Sequence, residues 1–234
     1  MQRYFGKEKQ GNNIVLETGD MYHIKKVMRM KDGDEIEVVI HEELYLCHLE
    51  NHTENIVIKE KLENPKDFMK HVILVIPVLK EQKMDLILQK ATELGVAEII
   101  PVSMKRSMVK ITEKEAKKLE RWNKIMKEAS EQSMRNKTPN LHPVTKFSEI
   151  VKLEGKKIVC STIEKENSLK KFLQTSTNYD KLIIVIGPEG GIDPEEETFL
   201  KEHDFISVTL GPRIMRVETV PIYVLSVLNY EYME

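Results

Sequence analysis

LIIVIGPEGGIDPEEE, residues 182–197, places an apolar, β-branched run directly before a glycine turn and follows the turn with Asp193-Pro194-Glu195-Glu196, the opening of a helix. Strand, tight loop and capped helix in that order is the layout of a ligand loop in an α/β sheet, where ligands sit beyond the carboxyl ends of strands. A second stretch, ISVTLGPRIMRVETVP at 206–221, repeats the logic: a β-branched run, a Gly-Pro turn, then an apolar helix. Two such loops so close in sequence point to one shared pocket.

Neither loop carries G-x-x-x-x-G-K-[ST], so a P-loop is excluded, and neither has G-x-G-x-x-G after a first strand, which argues against a dinucleotide fold. What remains is a pair of turns whose glycines let the backbone approach a ligand closely, so that amides and carbonyls read its polar edge. Gly187, Pro188, Glu189, Gly190 and Gly191 form the first candidate wall; Leu210, Gly211, Ile214 and Met215 form the second. Glu189 reads as a cap or a pocket carboxylate. Asp193 with Glu196 three residues on reads as a capping box, a structural device. Arg213 and Arg216 beside the second turn suit the clamping of an anionic substrate; an Arg216–Glu218 ion pair that fixes the turn is the other reading.

Outward from these loops, His71 to Leu79 (HVILVIPVL) is a continuous apolar run, as expected for a strand buried on both faces. Lys83 to Leu94 is an amphipathic helix with Met84, Ile87, Leu88 and Ala91 inward, stopped by Gly95, and Ala97 to Val102 is another strand. That βαβ unit implies a parallel sheet. Lys114 to Met134 reads as a long helix, and its later polar cluster, Glu128, Glu131, Gln132, Ser133 and Arg135, is expected in solvent rather than in a pocket. Lys157 to Thr162 is a further strand and Ser168 to Leu173 a helix. The last helix, Val220 to Tyr230, is apolar almost all round, which calls for burial in the monomer or in a symmetric dimer.

Residues 1–68 read differently. Glu35 to Val39, Leu44 to Leu49 and Asn55 to Lys61 are short strands separated by polar turns, the pattern of a small β-barrel. Before them, after a brief apolar-polar segment at Asn13 to Glu17, Asp20 to Met30 offers an Asp N-cap and helically spaced Ile24, Val27 and Met28, with Lys25, Lys26 and Arg29 on other faces. The polar, proline-interrupted stretch Glu63 to Lys66 is the candidate linker. The domains expected are therefore 1–68 and 69–234.

Over the 234 residues, 36 basic and 38 acidic side chains leave a net charge of −2, which argues against indiscriminate nucleic-acid binding. Locally, Met1 to Lys31 holds seven Lys/Arg against three acids, and Ser103 to Lys137 holds eleven against five. Such stretches track a phosphate backbone or simply form a solvated face. Cys47 and Cys160 lie far apart without ligand spacing, so free thiols are expected and no metal; His48 and His52 fall on a strand and turn, which does not suit a metal either. No apolar run is long enough to span a bilayer, and Met1-Gln2-Arg3-Tyr4 lacks a signal-peptide pattern, so a cytoplasmic location is expected.

IGPEGGI followed by LGPRIMRVET resembles the signature of the SPOUT class of knotted methyltransferases. More narrowly, KMDLILQKATELGVAEIIPV (83–102) and ERWNKIMKEASEQSMRNKTP (120–139), with both loops, resemble the ribosomal RNA small subunit methyltransferase E family, and MYHIKKVMRMKDGDEIEV (21–38) resembles that family's PUA-like RNA-binding barrel. The resemblance implies an α/β fold, a SPOUT-type parallel sheet with a C-terminal trefoil knot, after a PUA-like domain. It implies S-adenosylmethionine as cofactor, N3 of a uridine in 16S ribosomal RNA of the small subunit as acceptor, and a homodimer through the C-terminal domain. On this reading the nine loop residues above hold the cofactor, Arg216, Arg213 and Glu218 carry catalysis, and Arg3, Lys25, Lys26, Arg29 and Arg135 contact RNA. Two departures stand out: Val78 to Gln82 replaces a Pro-Lys-Gly-like turn, and Val217 stands where Thr is common. The rival readings are a non-catalytic RNA-binding assembly factor, and a SPOUT enzyme acting on ribose 2′-hydroxyls or transfer RNA.

Overall fold

The computed structural model describes residues 1–52, 54–63, 70–109 and 115–232. The candidate linker at 63–66 therefore lies almost wholly outside the described residues. By contact density the chain divides into two compact units, Met1–Asp67 with Lys127–Thr138, and Phe68–Met126 with Pro139–Glu234.

The first unit contains strands β1 (Gln2–Phe5), β2 (Glu8–Gln10), β3 (Asn13–Val15), β4 (Glu35–Ile40), β5 (Glu43–Glu50) and β6 (Asn55–Leu62), with helix α1 (Thr18–Tyr22) after β3. They form one sheet in the order β1-β4-β5-β6-β3-β2. The expected barrel is thus a mixed sheet that is not closed: β1 runs parallel to β4, and β1 and β2 do not pair. The chain itself crosses between those two edges, with Gly6 N–H donating to Val39 and Lys7 N–H to Val15. A Cβ on Gly6 would come within 2.8 Å of the Ile14 side chain, so any other residue at that crossing would force the buried Ile14 to shift. Ile14, Ile24, Ile36, Val38, Cys47, Leu49 and Ile56 fill the core, which accounts for the period-two pattern of β4.

The helix expected over Asp20 to Met30 is shorter and differently capped. Glu17, not Asp20, is the N-cap, and after Tyr22 the helix widens into a π-type turn at His23–Val27. Asp20 is drawn instead to Lys127, at 2.5 Å. The polar cluster expected in solvent is corrected in part: Glu128 and Gln132 are exposed, but Ser133 and Arg135 are half-buried, and Glu131 is half-buried, accepts from the Phe5 N–H and pairs with Lys127. This is how Lys127–Thr138 comes to pack with the first unit.

The second unit carries β7 (His71–Pro77), α2 (Glu81–Glu93), β8 (Glu98–Ser103), the start of α3 (Glu115–Gln132), the short β9 (Asn140–Leu141) and β10 (Thr145–Lys146), β11 (Lys156–Cys160), α4 (Leu169–Thr175), β12 (Lys181–Ile186), α5 (Pro194–Lys201), β13 (Ile206–Val208) and α6 (Thr219–Tyr232). The sheet is parallel throughout, ordered β10-β8-β7-β12-β11-β13 with β9 beside β8. Along β7, Val72, Leu74 and Ile76 enter one core with α2, α4 and α6, whereas Ile73 and Val75 enter another with Leu200 of α5. A sheet covered on both faces needs apolar residues at every position, hence the unbroken run. Gly95, at φ 85°, ends α2 in a Schellman motif: Val96 N–H reaches Ala91 and Gly95 N–H reaches Thr92.

Of the two readings of the final helix, burial within this chain is incomplete. Pro221, Val224, Leu225 and Leu228 are buried, but Tyr223 and Tyr230 are exposed.

Candidate active site

Strands β12, β11 and β13 lie side by side and parallel, so their carboxyl ends deliver three loops to one place. Ser161 to Lys165, Gly187 to Ile192 and Thr209 to Val217 together wall a cavity of about 470 Å³, a size that suits a small organic ligand. All nine residues expected to hold a cofactor line it, as do Arg213 and Arg216. Lys83 from α2 and Arg106 from the loop after β8 complete the wall.

The first loop is held by close approach. A Cβ on Gly187 would lie 2.6 Å from the Ile192 side chain and 2.9 Å from its amide nitrogen. Gly191 takes φ 73° and donates its N–H to Pro188 O at 2.9 Å, closing the turn. Asp193 caps α5 by accepting from Glu195 N–H. Glu196 does not complete the capping box: its Oε1 accepts from the Lys105 N–H at 2.8 Å. Arg106 reaches over the loop to Gly190 O at 3.2 Å and to Asp193 at 3.3 Å.

The second loop turns at Gly211, φ 115°. Arg213 and Arg216 are exposed, as is Ile214 at 85%. No Arg216–Glu218 ion pair forms among the described residues. Glu218 instead faces Lys83 at 3.6 Å, set behind the wall with its Oε2 closed off from solvent and without a hydrogen bond. Glu189 also goes to Lys83, at 2.9 Å. Burial pushes the Glu189 carboxyl up, but the Lys83 hydrogen bond and backbone donation outweigh it and hold the group below the usual carboxylate range.

The third loop was not foreseen. Ser161 Oγ accepts from Ile163 and Glu164 N–H, and Glu164 Oε1 accepts from the amides of Lys165, Glu166 and Asn167. Asn167 then donates through Nδ2 to Ser207 O, and Thr209 N–H donates to Asn167 O, stitching this loop to β13. Its sequence, STIEKEN, has no glycine to announce it. Glu197 was also missed: buried at 4%, it lines the cavity while its Oε1 accepts from Ser207 Oγ at 2.8 Å. Cys160 contributes a neutral thiol, pushed up to about 12 by burial.

Among the residues expected to meet RNA, Lys26 and Arg29 are exposed and Lys25 half-exposed near Glu54. Arg3 is corrected: its side chain is 4% exposed, paired with Glu37 at 2.6 Å and hydrogen-bonded to Asn136. Arg135 is half-buried. No group of His, Cys, Asp or Glu suited to a metal occurs among the described residues, and no helix there is long and apolar enough to cross a membrane.

A parallel α/β unit whose strand ends build such a cavity, following a mixed-sheet unit, matches two family models: an RNA methyltransferase domain over residues 66–229 and an RNA methyltransferase PUA domain over 22–61. The class is therefore RNA methyltransferase. A Bacillus subtilis protein named Ribosomal RNA small subunit methyltransferase E is 34% identical, covering 99% of this chain and 97% of its own. Its namesake in Mesomycoplasma hyopneumoniae is 34% identical over 97% and 98%. The crystal structure of a Ribosomal RNA small subunit methyltransferase E from Neisseria gonorrhoeae bound to S-adenosyl methionine, 28% identical, matches with a TM-score of 0.88 over 99% and 98% of the two chains. The chain belongs to the ribosomal RNA small subunit methyltransferase E family.

Proposed function

We propose that the chain transfers the methyl group of S-adenosylmethionine to N3 of a specific uridine in 16S ribosomal RNA, as a cytoplasmic homodimer. The observation that carries this is the convergence of both glycine loops on one cavity, in a family whose Neisseria gonorrhoeae member has a crystal structure bound to S-adenosyl methionine. The cavity fits that group: its volume suits a ligand of that size, and the glycines of both loops line it, leaving little side-chain bulk between the backbone and the space. When bound, S-adenosylmethionine supplies an electrophilic methyl group on a sulfonium.

The chain's own residues then have orientation and electrostatics to provide. Gly187 to Gly191 and Leu210 to Met215 hold the cofactor, and alignment of two reactants contributes roughly 7 to 11 kcal/mol. Uracil N3 is a poor nucleophile while protonated, so positive charge at the rim must stabilise the anion. Arg216, with Arg213, is placed for that or for a flanking phosphate, being exposed and unpaired among the described residues. Glu218, set behind the wall and facing Lys83, acts through that lysine rather than on the substrate. Lys26 and Arg29 of the first unit bind RNA phosphates.

Two finer features complete the proposal. The C-terminal segment threads to form a trefoil knot, supported by β13 passing beyond β11 from β12. A second copy covers the exposed side of α6, supported by Tyr223 and Tyr230, two turns apart on one face. The test is to map the nucleotide methylated by the native chain in small-subunit RNA. A mark at a uridine N3 is expected; a ribose 2′-O-methyl group or no mark refutes it. In parallel, Arg216→Ala is expected to keep affinity for S-adenosylhomocysteine and lose methylation, and retained turnover would return that arginine to structure.

A further inference from the structure

We infer that Lys83 is a positioning residue of the donor cavity, one ammonium that ties a carboxylate of the first glycine loop to one just past the second. The inference rests on the methyl-transfer reading above. Lys83 Nζ donates to Glu189 Oε1 of the first loop at 2.9 Å and lies 3.6 Å from Glu218 Oε2, just past the second. The loops come from β12 and β13, which β11 separates, so they share no strand pairing. A third element, α2, supplies the link between them.

The position of the lysine argues that this link is its role. Lys83 stands in the first turn of α2, where the helix dipole disfavours a cation. Two anions facing the same Nζ offset that cost. They are partly screened from water, with side-chain exposures of 25% for Glu189 and 15% for Glu218 against 34% for the lysine. Glu218 Oε2 has no hydrogen bond of its own, so without the ammonium a buried charge would be uncompensated and would repel Glu189 across the gap. The walls would then part, and the cavity would lose its fit.

The experiment is titration calorimetry with S-adenosylhomocysteine, with donor KM and kcat measured on small-subunit RNA. Lys83→Met is expected to weaken binding roughly five- to tenfold, the scale of a partly exposed ion pair plus a stranded charge. Donor KM should rise with kcat little changed, and Lys83→Arg should restore affinity to within about twofold. Adding Glu218→Gln to Lys83→Met removes the stranded charge and should recover part of the loss. Lys83→Gln, which keeps the stem and a donor, serves if the methionine variant does not fold. Native-like affinity in Lys83→Met or Lys83→Gln overturns the inference, as does a further loss in the double variant. Failure of the native chain to bind the ligand would instead overturn the methyl-donor reading itself.

Discussion

A methyl group on residue 187 has nowhere to go: it would meet the Ile192 amide nitrogen at 2.9 Å, and backbone cannot swing aside as a side-chain tip does. At Gly190 the same methyl group would sit 3.5 Å from Arg106 Cβ, an ordinary contact. The two glycines of one motif therefore carry different demands. Gly187→Ala is expected to cost about 1 to 3 kcal/mol of stability through the forced shift and to weaken S-adenosylhomocysteine binding. Gly190→Ala should leave both within experimental scatter. Urea unfolding and calorimetry on the two variants decide it, and native-like behaviour of Gly187→Ala would show that the loop tolerates side chains as a whole. At this scale the sequence showed which residues meet at the cavity, because each loop follows its own strand directly. It did not show Glu197, since three successive glutamates at a helix start look alike until the fold buries two of them and turns one to the cavity.

Helix starts show how an element serves the site or only itself. Asp193 caps α5 and Ser168 caps α4, each with its side-chain oxygen on a backbone N–H. Replacement of either by Ala is expected to cost about 1 kcal/mol. Only Asp193 also pairs with Arg106 and stands at the end of the GPEGG loop, so only Asp193→Ala should weaken donor binding. Loss of binding in Ser168→Ala of the same size would show that the third loop, which Ser168 follows, is equally sensitive. The strands and helices of the second unit were legible because unbroken apolar runs and three- to four-residue spacing report burial directly. The first unit was less so. Short strands with polar turns are common to open and closed sheets, and a deciding contact, Gly6 to Val39, joins residues far apart in the chain. The fate of Asp20 likewise depended on Lys127, more than a hundred residues away.

Across the whole molecule, charge has to be sorted by what each cation already holds. The near-neutral total says little, and the two basic stretches of sequence mix engaged and free groups. Arg3 and Lys26 look alike in the N-terminal stretch, yet Arg3 is spent inside the first unit on Glu37 and Asn136 while Lys26 and Arg29 face solvent. Their variants should therefore fail differently. Loss of a phosphate contact lowers the slope of log affinity against log salt by about 0.7 to 0.9 per contact, so Lys26→Ala and Arg29→Ala should each flatten the salt dependence of small-subunit RNA binding and leave the unfolding midpoint unchanged. Arg3→Ala removes one partner of a buried ion pair, which costs about 3 to 5 kcal/mol, so it should lower the midpoint sharply and leave the slope unchanged wherever the protein remains folded. Filter binding over a salt series, beside urea unfolding of the same samples, separates the two cases. A normally stable Arg3→Ala with a flattened slope would return Arg3 to the RNA-contacting set.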